Sequence, residues 1–155
     1  MPLPVKIEHR IGVQAPPEEI WRLVCDIPGW PRWNPLYPKA EGELQFGRML
    51  TLEVAIPGEP RRIIRPTVAD WTPNEQIIWR LSRFGGLMRS TRFIEIEKLA
   101  DESCIFSNGE IIEGTLVRLI DRRTRRAIKA GFAAMGEAVR DRAEAAFRSA
   151  EPAAT

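Results

Sequence analysis

The sequence predicts a single α+β domain in which a curved antiparallel sheet packs around one long C-terminal helix. Three observations lead to this. Short apolar-alternating segments, separated by turn residues, fill the middle of the chain. Helical patterns occur only near its two ends, which excludes an alternating strand–helix parallel sheet. The length of 155 residues suits one hydrophobic core and is too short for two. The expected domain is residues 1–150, with a frayed tail at 151–155.

Val5 to Val13 opens as a half-buried strand. Val5, Ile7, His9, Ile11 and Val13 share one face, and Lys6, Glu8 and Arg10 take the other. Ala15-Pro16-Pro17-Glu18-Glu19 then starts a short helix. Proline fits the first turn, where its missing N–H is not needed, and the glutamates favour the positive end of the helix dipole. Ile20, Trp21, Leu23 and Val24 supply the buried face. Asp26 suits the cap of a second short helical turn. Pro28, Gly29, Pro31 and Pro35 prevent any long element there. Trp30, Trp33 and Tyr37 either plug one end of the core or set a ring at a pocket mouth.

From Pro38 onward the chain reads as consecutive strands. Leu50, Leu52, Val54 and Ile56 alternate with polar or small neighbours, and Pro57-Gly58-Glu59-Pro60 turns the chain. Ile63 to Trp71 is a strand with imperfect alternation, which predicts a bulge. After Thr72-Pro73-Asn74-Glu75, Ile77, Trp79 and Leu81 share a face, with Arg80 opposite. Gly85-Gly86 turns again. In the strand Met88 to Leu99, Phe93 and Ile94 are both apolar, so the inward face stays open. Cys104 to Gly114 is the last strand, giving about seven in all. Leu116 to Arg148 is the long helix, with an apolar stripe through Ile120, Ile128, Phe132, Met135, Val139 and Ala146. Gly131 and Gly136 lie inside it, each costing about 1 kcal/mol relative to alanine, and mark a close backbone approach or a slight bend.

Composition narrows the function classes. A net charge of +2 and a charged fraction of 28% give no global reason for nucleic-acid or anionic-membrane binding. No apolar run approaches the roughly 20 residues that span a bilayer, and Met1 to His9 lacks the apolar core of a signal peptide. A cytoplasmic protein without integral membrane association is expected. Cys25 and Cys104, with a single histidine in the chain, offer no usual zinc set. Both thiols are expected to be small buried or half-buried groups, and no cofactor or metal is expected. No nucleophile elbow, phosphate loop or dinucleotide fingerprint is present. Arg118, Arg122, Arg123, Arg125, Arg126 and Lys129 form a basic run read as a solvated helix face, the alternative being attraction of acidic headgroups or phosphates.

Three stretches carry a family resemblance. They are Ile11 to Trp21, with Ala-Pro-Pro-Glu between strand and helix; Asp26 to Pro35, with Trp33-Asn34-Pro35; and Phe106 to Gly114, a last strand with a polar-x-Glu pattern. In these the chain resembles the START-like helix-grip (SRPBCC) superfamily, more narrowly its bacterial polyketide cyclase/dehydrase and lipid-transport branch. The resemblance implies two short helices after the first strand, a sheet wrapped on the long helix, and a cavity between them. Members include lipid carriers, receptors and aromatic polyketide cyclases, so the fold alone does not select an activity.

The expected partner is therefore a small hydrophobic molecule: a lipid, an isoprenoid or an aromatic polyketide-like compound. Expected walls are Ile11, Leu52, Val54, Trp79, Leu81 and Phe106 from the sheet and Phe132, Met135 and Val139 from the helix, with Trp33 at the mouth. Each could equally be plain core, because wall and core share one periodicity. Polar candidates are His9, Asn108 and Glu110. His9 is either a core histidine held by one hydrogen bond or a ligand-contacting acid/base. If the parity of Phe106, Asn108, Glu110 and Ile112 points inward, Glu110 enters a low-dielectric cavity, where its pKa rises unless an arginine pairs with it. Outward, it makes a surface salt bridge. Two alternatives to binding follow: a cyclase- or dehydratase-like enzyme using Glu110 or His9, and a protein-interaction module with an exposed apolar patch. Monomer and homodimer both stay open.

Overall fold

The computed structural model describes residues 2–150, so the expected tail at 151–155 lies outside the described residues. Eight strands form two antiparallel sheets. In chain order they are β1 Val5–Val13, β2 Lys39–Glu41, β3 Thr51–Val54, β4 Arg62–Ile64, β5 Thr67–Thr72, β6 Gln76–Arg83, β7 Met88–Ala100 and β8 Ser103–Glu113. The larger sheet has the order β1-β8-β7-β6-β5 and the smaller β2-β3-β4. A bridge between Met49 and Thr67 joins the second sheet to the β5 edge. Helix α1 spans Pro17–Cys25, a 3₁₀ turn spans Ile27–Arg32, and helix α2 spans Arg122–Ala150. Helix α2 lies across β1 and β8 and also meets α1.

The segment expected as one strand from Ile63 to Trp71 is two. Pro66 lacks the N–H a ladder needs, so β4 stops before it and β5 starts after it. The bulge lies between Val68 and Asp70. The long helix also starts later than Leu116. Gly114 has φ +114 and leads into a 3₁₀ turn, Thr115–Leu119, and Ile120 is extended. Asp121 then accepts a hydrogen bond from the Thr124 N–H at 2.8 Å and caps α2. Within α2 the buried stripe is Ile128, Phe132, Met135, Val139 and Ala143. Ala146 is exposed, and the stripe continues instead from Ala143 to the partly buried Phe147. Asp26 precedes the 3₁₀ turn but makes no side-chain cap bond; its carboxylate instead accepts from Arg32 at 3.4 Å.

Both helix glycines mark close approaches. A Cβ on Gly136 would sit 2.9 Å from His9 Nδ1, and one on Gly131 would sit 3.0 Å from Leu36 Cδ1. On β7 the inward face is Ser90, Arg92, Ile94 and Ile96. Phe93 is buried on the outer face, where it lies across Gly109 of β8 with the Lys6 ammonium 5.5 Å above its ring.

Candidate functional site

Between the concave sheet and the first turns of α2 lies a cavity of about 280 Å³. This is just below the roughly 300–1,000 Å³ of small-molecule sites. Its apolar walls are Ile64 of β4, Leu81 of β6, Met88 of β7, Ile112 of β8, Ile120 just before α2 and Ile128 within it. Its mouth carries the exposed Phe84 and Leu119 with the half-buried Glu59, Arg62 and Arg83. A groove between β1 and the basic start of α2 is more open to solvent and mostly lined by charged residues.

Three polar side chains meet on the cavity floor: Ser90, Arg92 and Glu110. Their meeting follows from strand register. Arg92 of β7 is directly opposite Glu110 of β8, and Ser90 is one inward step away. The Ser90 hydroxyl donates to Glu110 Oε1. Arg92 Nη2 lies 3.3 Å from Glu110 Oε2 in an ion pair that lacks hydrogen-bond alignment, so Oε2 and Arg92 Nε stay without partners. Arg92 Nη1 donates to the Tyr37 hydroxyl at 2.8 Å. Its guanidinium also lies over the rings of Tyr37 at 5.8 Å and Phe132 at 5.7 Å. Burial alone lowers the Arg92 pKa, but Glu110 and Tyr37 outweigh it and hold the group above its ordinary value. Burial pushes the Tyr37 phenol up, with Arg92 opposing.

The sequence-predicted residues fall in three places. Leu81 and Glu110 line the cavity. Leu52, Val54, Trp79, Phe106, Phe132, Met135 and Val139 are packed core away from its lining. Trp79 clusters with Trp30 and Tyr37, which fill the end of the interior that the cavity does not reach. Ile11 packs partly buried against Gly136 of α2. Trp33 is half-buried in a surface groove with Pro31, Pro38 and Arg61, away from the mouth. His9 also lies under Gly136, with Nδ1 buried and unpartnered. Burial lowers its pKa below 6.5, Glu137 opposing and Lys129 reinforcing. Asn108, opposite His9 across β1 and β8, is buried with neither amide atom hydrogen-bonded.

Sequence reading missed Ser90, Arg92, Arg62 and Arg83. The Phe93–Ile94 doublet hid the parity of β7. Taken on the parity of Ile94 and Ile96, Arg92 stands out as a charge in the middle of an apolar face, the other charge of that parity, Lys98, falling near the strand's end. Arg62 and Arg83 look like surface arginines because nothing local shows the mouth that they face.

A sheet wound on a C-terminal helix, with a hollow between them, is the helix-grip fold. Residues 4–149 match the family model described as polyketide cyclase/dehydrase and lipid transport, and the chain belongs to that family. Comparison with curated protein sequences returns no match. Solved structures share the fold at low identity. The Zhui aromatase/cyclase from Streptomyces sp. R1128 superposes with TM-score 0.69 at 19% identity, over 92% of this chain and 94% of that one. Norcoclaurine synthase from Thalictrum flavum, in complex with dopamine and hydroxybenzaldehyde, gives 0.69 at 15%, over 97% and 90%. The di-domain ARO/CYC StfQ of the steffimycin biosynthetic pathway gives 0.73 at 13%, over 93% of this chain. The chain spans about half of that di-domain protein, 52% of its length. Among the described residues no helix is long and apolar enough to cross a membrane.

Proposed function

We propose that this chain binds a small hydrophobic ligand, such as a lipid, isoprenoid or aromatic polyketide-like molecule, in the cavity at the start of α2, with Glu110 fixing one polar group. One observation carries the reading: the floor of a hollow walled by Ile64, Leu81, Ile112 and Ile128 holds a buried carboxylate oxygen that Arg92 pairs at 3.3 Å without a hydrogen bond. Buried polar atoms are nearly always partnered, and a ligand hydroxyl placed there would complete the set. Each 100 Å² of apolar ligand surface buried contributes about 2.5 kcal/mol before association costs, so a ligand filling the hollow binds in the micromolar to millimolar range. An internal hollow, rather than an exposed apolar sheet face, separates this reading from a protein-interaction module.

The same carboxylate favours a second reading, a cyclase- or dehydratase-like catalyst in which Glu110 moves a proton of the bound molecule. His9 lies outside the cavity lining and would not share that work.

Titration with the neutral fluorescent probe N-phenyl-1-naphthylamine tests the binding reading. Leu81→Trp fills the cavity and should weaken the probe by about tenfold, while the outward Glu113→Gln should leave it unchanged. Equal binding by the filled variant sinks the assignment. Glu110→Gln divides the two readings, because only the catalyst loses turnover of a hydroxylated polyketide mimic while probe binding persists.

A further inference from the structure

The cavity mouth is electrically unbalanced. Arg62 of β4 and Arg83 of β6 both line it. Among the described residues neither forms an ion pair with a carboxylate. Glu110 is committed to Arg92 on the floor. Glu59 also lines the mouth, yet it does not restore the balance. Burial lowers the Arg62 pKa most, and repulsion from Arg83 and from Arg92 each exceeds the attraction of Glu110 or Glu59. Arg83 leans on the exposed Phe84 ring at 4.9 Å instead of on an acid. A half-buried guanidinium beside two others is an unfavourable arrangement until an anion joins it. The walls behind it, Ile64, Ile112 and Ile128, offer only apolar contact.

We propose that the cavity selects an anionic amphiphile, its carboxylate or phosphate head held at the mouth by Arg62 and Arg83 and its apolar body reaching inward. This rests on the cavity being a ligand site. Guanidinium groups favour both heads because each presents oxygens that their N–H forks can meet. The cation pair also disfavours an amine of the same length, so the site discriminates by repulsion as well as attraction.

Calorimetric titration of the whole chain with octanoate, octyl phosphate, octanol and octylamine tests this, the first two separating the head chemistries. At least one anion should bind about tenfold more tightly than octanol, with octylamine weakest. That preference should shrink as salt rises from about 0.05 M to about 0.5 M. Arg62→Gln with Arg83→Gln should remove the preference for the anion over octanol, whereas Arg62→Lys should keep part of it. Octanol matching both anions in the unaltered protein, or an anion preference that survives the double substitution, overturns the proposal and leaves the cavity reading standing. The salt series reads the same effect without a variant, so a double variant that fails to fold does not remove the test. Binding of none of the four, or binding that Leu81→Trp does not weaken, counts instead against the cavity as a ligand site.

Discussion

Arg92 and Glu110 are 1% and 5% exposed, and each is the other's nearest opposite charge. Withdrawing both from water costs several kcal/mol per ion, so their net contribution to stability is small while the loss of one partner is severe. Arg92→Met should therefore lower the unfolding free energy by about 3–5 kcal/mol, and Arg92→Met with Glu110→Leu should recover most of it. Urea denaturation of the three proteins checks this. No recovery in the double variant contradicts the pairing. At this scale the sequence was half legible. The inward parity of Glu110 could be stated as one of two outcomes, but its partner could not, since only the register of β7 on β8 sets Arg92 opposite it.

At the scale of elements, the meeting of α2 with β1 shows what periodicity can and cannot say. The apolar stripe of the helix was readable, and so were two glycines in it that cost helix propensity. What the glycines accommodate required coordinates: Gly136 admits the His9 ring and Gly131 admits Leu36. Gly136→Ala should gain about 1 kcal/mol of propensity and lose about 1–3 kcal/mol to overpacking against the His9 ring, whose Nδ1 would lie 2.9 Å from the new Cβ. The net result should be a lower urea midpoint. Gly131→Ala meets the flexible end of Leu36 and should be near neutral. In a His9→Ala background, Gly136→Ala should become stabilising, so the two substitutions do not add. Simple additivity would show that the close approach carries no energy. The same approach bears on pH. Because burial holds the His9 pKa below 6.5, its contribution is present above that value and is lost as pH falls through the folded pKa. His9→Ala should remove that part of the acid sensitivity. Breaks inside elements were less legible than the elements: Pro66 ends β4, and the positive-φ turn at Gly114 and the 3₁₀ turn after it delay α2 to Arg122.

For the whole molecule, the order of short strands and terminal helices led to the fold because turn residues and alternation are local signals. The hollow was not legible, because the residues of a wall and of a filled core alternate identically; Trp30, Tyr37 and Trp79 fill one end, and the void survives at the other. Its lining comes from both sheets and from α2. A ligand there bridges elements far apart in sequence, so binding should stabilise the molecule as one unit rather than one part of it. At a free concentration of 100 times Kd, a ligand bound only by the native state adds about 2.7 kcal/mol. For a chain of this size each kcal/mol raises Tm by roughly 2–4 °C. N-phenyl-1-naphthylamine at that excess should thus raise Tm by about 5–10 °C, in a single transition seen equally by tryptophan fluorescence and far-ultraviolet circular dichroism. Leu81→Trp should abolish most of the shift. If the two signals separate on adding the probe, only part of the fold grips it, and the hollow between sheet and helix is not where it sits.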